Sequence, residues 1–147
     1  MFFFSEIALN HALWVGILAW FLAQTLKIVF EFFRSKRVRL ALIMSSGGMP
    51  SSHSAMSTAV TTSIGLIEGF GSPLFAVGAI FSMIVMYDAS GVRRAAGKHA
   101  KAINELISYL ENSGIVLEKK LKEMLGHTPL EVLAGGLLGV VLAIIFS

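Results

Sequence analysis

The chain contains no cysteine, which excludes a disulfide framework and cysteine-ligated metals and leaves the redox compartment open. Charge is scarce as well: 14% of the 147 residues are charged, against roughly 25% in soluble domains. With 55% hydrophobic residues and a mean hydropathy of +0.76, that shortage argues for a membrane protein. The first residues, Met1–Glu6, carry neither a positive n-region nor a cationic transit pattern, so the first apolar segment is expected to remain as a membrane helix. No G-x-x-x-x-G-K-[ST], G-x-G-x-x-G or H-E-x-x-H occurs, which disfavours nucleotide-binding and zinc-protease chemistry. Internal repeats and low-complexity tracts are missing too. The length suits a single domain, and the net charge of +3 is modest. A nucleic-acid partner is not expected.

What is present is a series of apolar segments separated by polar turns. Residues 7–33 are apolar apart from Asn10, His11, Gln24, Lys27 and Glu31, long enough for a bilayer crossing of about 20 residues. Gln24, Lys27 and Glu31 recur at helical spacing and share a face, which should point into the bundle rather than at lipid. Further spans are expected over about 52–67, 73–87 and 130–146, with Pro73 and Pro129 placed to open helices. These three are short for a full crossing, a shortage that a homo-oligomer would shield. The second is rich in Ser, Thr, Ala and Gly, and the last carries Gly135, Gly136 and Gly139, all suited to close helix packing. Residues 97–125 read as soluble: Ile103, Leu106, Ile107 and Leu110 give one amphipathic limb, and Leu117, Leu121, Met124 and Leu125 a looser second. The fold expected is therefore an all-α polytopic membrane bundle of about four spans with an amphipathic helical hairpin at the membrane surface.

Four spans put segments 34–53 and 88–127 on one face and 68–72 on the other. The first two hold nearly every Lys and Arg, so that face should be cytoplasmic, in the cell membrane. The same face collects Lys27, Arg34, Ser51, His53, Arg93, Arg94, His127 and Glu131. It includes the small polar loop Gly47-Gly48-Met49-Pro50-Ser51-Ser52-His53-Ser54, whose only large apolar side chain is Met49. Fixed cations with two histidines suit a phosphate: the cations and backbone donors hold the anion, one imidazole can attack phosphorus, and the other can protonate the leaving oxygen.

Three short motifs sharpen this. Lys27 and Arg34 read K-x6-R, Pro50-Ser51-Ser52-His53 reads P-S-x-H, and His127 to Gly135 reads H-T-P-L-E-V-L-A-G. In that order they resemble the signatures of the type 2 phosphatidic acid phosphatases, which share a site with vanadium haloperoxidases and typically show K-x6-R-P, P-S-G-H and S-R-x5-H-x3-D. The resemblance runs from Lys27 to about Gly139 and leaves out the hairpin. Ser35, Ser52 and Glu131 depart from the family proline, glycine and aspartate. Leu121 stands where an arginine would precede the histidine. The nearest arginines are Arg93 and Arg94, which would make the hairpin an insertion between two halves of the third motif, in a divergent branch with fewer spans.

The resemblance implies a metal-independent and cofactor-free hydrolysis of a phosphorylated lipid, a phosphatidate or polyprenyl phosphate. His127 would be the nucleophile, Glu131 its orienting carboxylate, and His53 the general acid. Lys27, Arg34, Ser51 and Arg93 or Arg94 would clamp the phosphate. Each residue also has a plainer reading. Thr128–Glu131 is a T-x-x-E capping box with proline at the first helical position, Lys27 can snorkel, and His53 can be an interfacial histidine. Lys36, Arg37 and Arg39 suit lipid headgroups, and Asp88 is read as an ion-pair partner of Arg93 or Arg94. The alternative function is a non-catalytic protein that binds or moves a phosphorylated lipid. The expected geometry puts both imidazoles against one phosphate-sized space, with Arg34 and Arg93 or Arg94 pointing in.

Overall fold

The structure is a computed structural model that describes residues 2–36, 48–113, 121 and 126–146. Its helices are α1 (Phe2–Ala8), α2 (His11–Ser35), α3 (Ser52–Glu68), α4 (Pro73–Ser90), α5 (Val92–Asn112) and α6 (Pro129–Phe146), and no strand occurs among the described residues. Three stretches, His11–Phe33, Pro73–Glu111 and Pro129–Phe146, are long and apolar enough to cross a membrane. The protein is a polytopic membrane helical bundle.

Small side chains decide how the helices meet. On α2, Val15, Ala19, Ala23 and Lys27 follow one another at four-residue steps, and all four are buried. From the N-cap of α3 the same step runs through Ser51, Ala55, Ala59 and Ser63, each fully buried. Val15, Ala19, Ala23, Ala55, Ala59, Leu142 and Ala143 form the core. α3 is the central element, packed against α2, α4 and α6. The approach of α6 is a backbone contact: a Cβ on Gly135 would lie 2.2 Å from the Ser51 carbonyl oxygen, and one on Gly139 2.2 Å from that of Ala55. Thr58 Oγ1 donates across this seam to the Gly136 carbonyl at 3.0 Å. The glycines therefore pack within the fold. Large apolar side chains of α4, among them Val77, Ile80, Phe81, Met83 and Ile84, point outward, as a lipid-facing surface requires.

Several boundaries differ from expectation. The stretch expected as one helix from residue 7 is two, because Asn10 Oδ1 accepts from Leu13 N–H at 3.0 Å and caps a new helix at His11. α3 has 17 residues and so falls just outside the three stretches that are long and apolar enough to cross. α4 continues three residues beyond Tyr87, and α5 opens straight after Gly91 rather than near residue 97. Gly91 N–H still donates to the Tyr87 carbonyl (2.8 Å) and the Gly91 carbonyl accepts from Ala95 (2.9 Å), so the two helices are joined through a kink. The second limb of the hairpin lies outside the described residues except for Leu121, which is not helical. Its backbone is held on both sides by the Asn104 amide, at 2.8 Å through the carbonyl and 2.7 Å through the N–H.

Candidate functional site

The ends of α2 and α4 and the starts of α3, α5 and α6 meet at one end of the bundle. Two backbone hydrogen bonds tie them together: Ser51 N–H to the Glu131 carbonyl at 2.9 Å, and His127 N–H to the Ala89 carbonyl at 3.1 Å. Both use groups that a helix end leaves unpaired. The second bond is the more telling. It anchors the histidine on a carbonyl in the last turn of α4, beside the arginines that open α5. Gly126 permits that approach, since a Cβ there would lie 2.2 Å from the Arg94 amide nitrogen.

Lys27 reaches the site because it continues the apolar step of α2. Its side chain is 2% exposed, and Nζ donates to Ser52 Oγ at 3.3 Å. The loop before α3 packs on its methylenes, with Gly48 at a φ of +96°, a left-handed conformation that disfavours other residues. Holding an ammonium ion out of water costs several kcal/mol, and a neutral hydroxyl offsets only part of that. The Glu131 carboxylate also acts on Lys27 electrostatically. Ser52, the residue that replaces the family glycine, is thus the lysine's partner.

Ser51 is the N-cap of α3. Its Oγ accepts from Ser54 N–H at 3.4 Å and from Ser54 Oγ at 3.0 Å, and it is fully buried. His53, on the first turn of α3, is exposed and lies within electrostatic reach of Arg93, Lys27 and Asp88.

His127 is 1% exposed. Its Nδ1 lies 3.2 Å from Glu131 Oε2, while Nε2 is buried with no hydrogen-bond partner. A carboxylate acceptor fixes the proton on Nδ1 and leaves the lone pair on Nε2. The same Glu131 oxygen accepts from Thr128 N–H at 2.9 Å, and Thr128 Oγ1 accepts from Glu131 N–H at 3.3 Å. This is the reciprocal capping box, so one carboxylate both caps α6 and holds the ring. Burial pushes the His127 imidazole below its usual 6.5, while the Glu131 hydrogen bond pulls it partly back. Lys27 and His53 both bear on His127 electrostatically, which places the two histidines and the lysine in one cluster.

The arginines divide. Arg93 Nε donates to Asp88 Oδ2 at 2.7 Å, the ion pair expected for Asp88, and it acts electrostatically on His53. Arg94 is exposed. Arg34 sits on the last turn of α2, and its side chain lies outside the described residues. Reading the sequence alone misses Gly126 and Asn104. The glycine before the motif histidine is a signal only once α5 is known to pass beside it, and a lone Asn in an amphipathic helix carries none.

The chain matches the family described as “Divergent PAP2 family” over residues 8–142. It is 41% identical over 153 residues to the “Uncharacterized membrane protein YuiD” of Bacillus subtilis (strain 168), an alignment covering 97% of each chain. No solved structure matches it.

Proposed function

The chain belongs to the divergent PAP2 family, and from that premise we propose that it is a membrane phosphatase acting on a lipid phosphate or diphosphate through a histidine nucleophile, without a metal. The observation that carries this reading is the His127 ring. Its Nδ1 is held by a carboxylate at 3.2 Å, and its buried Nε2 is unpaired. An imidazole oriented in this way is a nucleophile waiting for an electrophile.

In the proposed reaction Nε2 attacks phosphorus in line with the ester oxygen. The P–N bond forms as the P–O bond breaks, and His53 gives its proton to the departing alkoxide. Water then attacks the phosphohistidine, its proton passes to His53, and inorganic phosphate leaves. Lys27 and Arg93 hold the phosphate oxygens, with Arg34 and Arg94 as further candidates. Ser52 steers the Lys27 ammonium, and Ser51 caps the helix whose first turn carries His53. Glu131 stabilises the imidazolium as it forms. A phosphate site at the end of a membrane bundle favours a lipid substrate, phosphatidate-like or polyprenyl. The basic loops favour a cytoplasmic face in the cell membrane.

The test is release of inorganic phosphate from phosphatidate and polyprenyl diphosphate in detergent micelles containing a chelator. The wild type should turn over, and His127→Ala should lose turnover while still binding the lipid. A second reading, binding or transport of the lipid without hydrolysis, draws support from Leu121. It stands where the family places an arginine and is held by Asn104. Lipid binding by a wild type that releases no phosphate would favour that reading.

A further inference from the structure

The helix break at Gly91 is bridged by an ion pair. Asp88 closes the last turn of α4 and Arg93 opens the first turn of α5, with Nε 2.7 Å from Oδ2. We propose that Asp88 is a positioning residue of this site: it holds the Arg93 guanidinium by its Nε edge and so aims the terminal nitrogens at the phosphate bound between His53 and His127. The proposal rests on the phosphate-site reading given above.

Stability alone is a poor account of the pair. Its side chains are 42% and 38% exposed, and a pair as wet as that contributes at most about 1 kcal/mol. Its position is the better explanation. Ala89, the neighbour of Asp88, holds the His127 amide through its carbonyl, and Gly126 presses against the backbone of Arg93 and Arg94. Both members of the pair act electrostatically on His53. The ion pair thus adjoins the backbone contacts that anchor His127 and lies within electrostatic reach of His53.

Guanidinium geometry supplies the mechanism. Arginine offers five N–H donors in a rigid fork, and a carboxylate on Nε leaves the four on the terminal nitrogens for a second anion. A long side chain at a helix kink otherwise samples many rotamers, and fixing one end removes most of that freedom before substrate arrives. The two carboxylates then have parallel tasks. Glu131 orients the nucleophilic ring, and Asp88 orients the cation beside the acid.

The experiment uses the full chain in detergent with orthovanadate, a mimic of the phosphoryl transition state, as the probe. Asp88→Asn should raise KM for phosphatidate and the vanadate inhibition constant about tenfold, the scale on which losing a ligand's orienting partner acts. The melting temperature should stay at the wild-type value. In an Arg93→Gln background the same substitution should change nothing further, because Asp88 acts through Arg93. Wild-type constants in Asp88→Asn, or an undiminished effect in the Arg93→Gln background, would overturn the proposal. Should Asp88→Asn not fold, Asp88→Glu is read the same way, since it keeps the charge and displaces the fork by one methylene. Raised constants support the proposal and wild-type constants overturn it. If the wild type is stabilised by vanadate yet releases no phosphate, hydrolysis fails while Asp88 is still tested, with vanadate stabilisation as the readout.

Discussion

Replacing Glu131 by glutamine separates two tasks that a single carboxylate performs. Oε2 accepts from Thr128 N–H at 2.9 Å and from His127 Nδ1 at 3.2 Å. An amide oxygen in the same place can accept from both, and glutamine serves a capping box as glutamate does. Helix start and ring orientation therefore survive in Glu131→Gln, and the negative charge alone is lost. That charge matters once His127 carries phosphate and its ring turns cationic. Unit charges 3.2 Å apart attract by about 5 kcal/mol at an effective dielectric of ~20. The Glu131 side chain is 21% exposed, so water screens part of this. Keeping roughly half leaves ~2.5 kcal/mol, or close to 10²-fold in kcat. Steady-state phosphate release measures that loss, and thermal unfolding in detergent runs beside it. Glu131→Ala should show the same kinetic defect and also lose ~1 kcal/mol of stability with the cap. If Glu131→Gln keeps full activity and only Glu131→Ala is destabilised, Glu131 is a helix cap and nothing more.

The pH profile tests His127 from another side. It must be neutral to attack, and burial sets its proton affinity below the usual 6.5, so activity should fall only as pH drops past that lowered value. The acid limb of kcat/KM then lies below pH 6.5 and moves lower still in Glu131→Gln, which removes the group that pulls the imidazole upward; a limb above 6.5 contradicts the assignment. Lys27→Met keeps the buried stem and deletes the buried charge, so phosphate release should fall by at least ~10²-fold while the melting temperature holds or rises. A stable, active Lys27→Met protein would remove the lysine from the site. Gly135→Ala sets a Cβ 2.2 Å from the Ser51 carbonyl oxygen, a backbone atom, and should lower stability by about 1–3 kcal/mol in thermal unfolding. Gly136→Ala, whose nearest atom is the mobile end of Met86 at 3.3 Å, is the matched control and should be close to neutral.

How far the sequence reveals this architecture depends on the kind of signal. Membrane helices are legible because long apolar runs with few charges have no other stable home, and the polar face of α2 follows from spacing alone. The inward turn of Gln24 and Lys27, both under a tenth exposed, is the direct outcome of that periodicity. Capping residues at Ser51, Ser72 and Thr128 are legible for the same local reason. What the sequence hides is tertiary. Nothing local tells that Ser52, a departure from the family motif, faces Lys27, or that α4 runs on to Ser90. The first depends on how α2 and α3 pack. The second depends on a glycine that kinks a helical path without ending it.

Under the proposed reading, in which Arg93 or Arg94 and His127 are separated halves of the third motif, such hidden contacts matter. Between Arg93 and His127 lie 33 residues, where the family pattern allows five. A separation of that size makes the pairing depend on tertiary contacts, because the entropic cost of closing a loop rises, though slowly, with its length. Here the distance along the chain is cancelled by three short-range devices. The Ala89 carbonyl captures the His127 amide at 3.1 Å, Gly126 lets the returning chain lie against Arg94, and Asn104 grips the Leu121 backbone on the way back. None of the three uses a motif residue's side chain. The arginine and the histidine can therefore drift apart in sequence while α4, α5 and α6 keep them together in space. A signature split in this way reads as broken in the sequence even where its two ends meet in the fold.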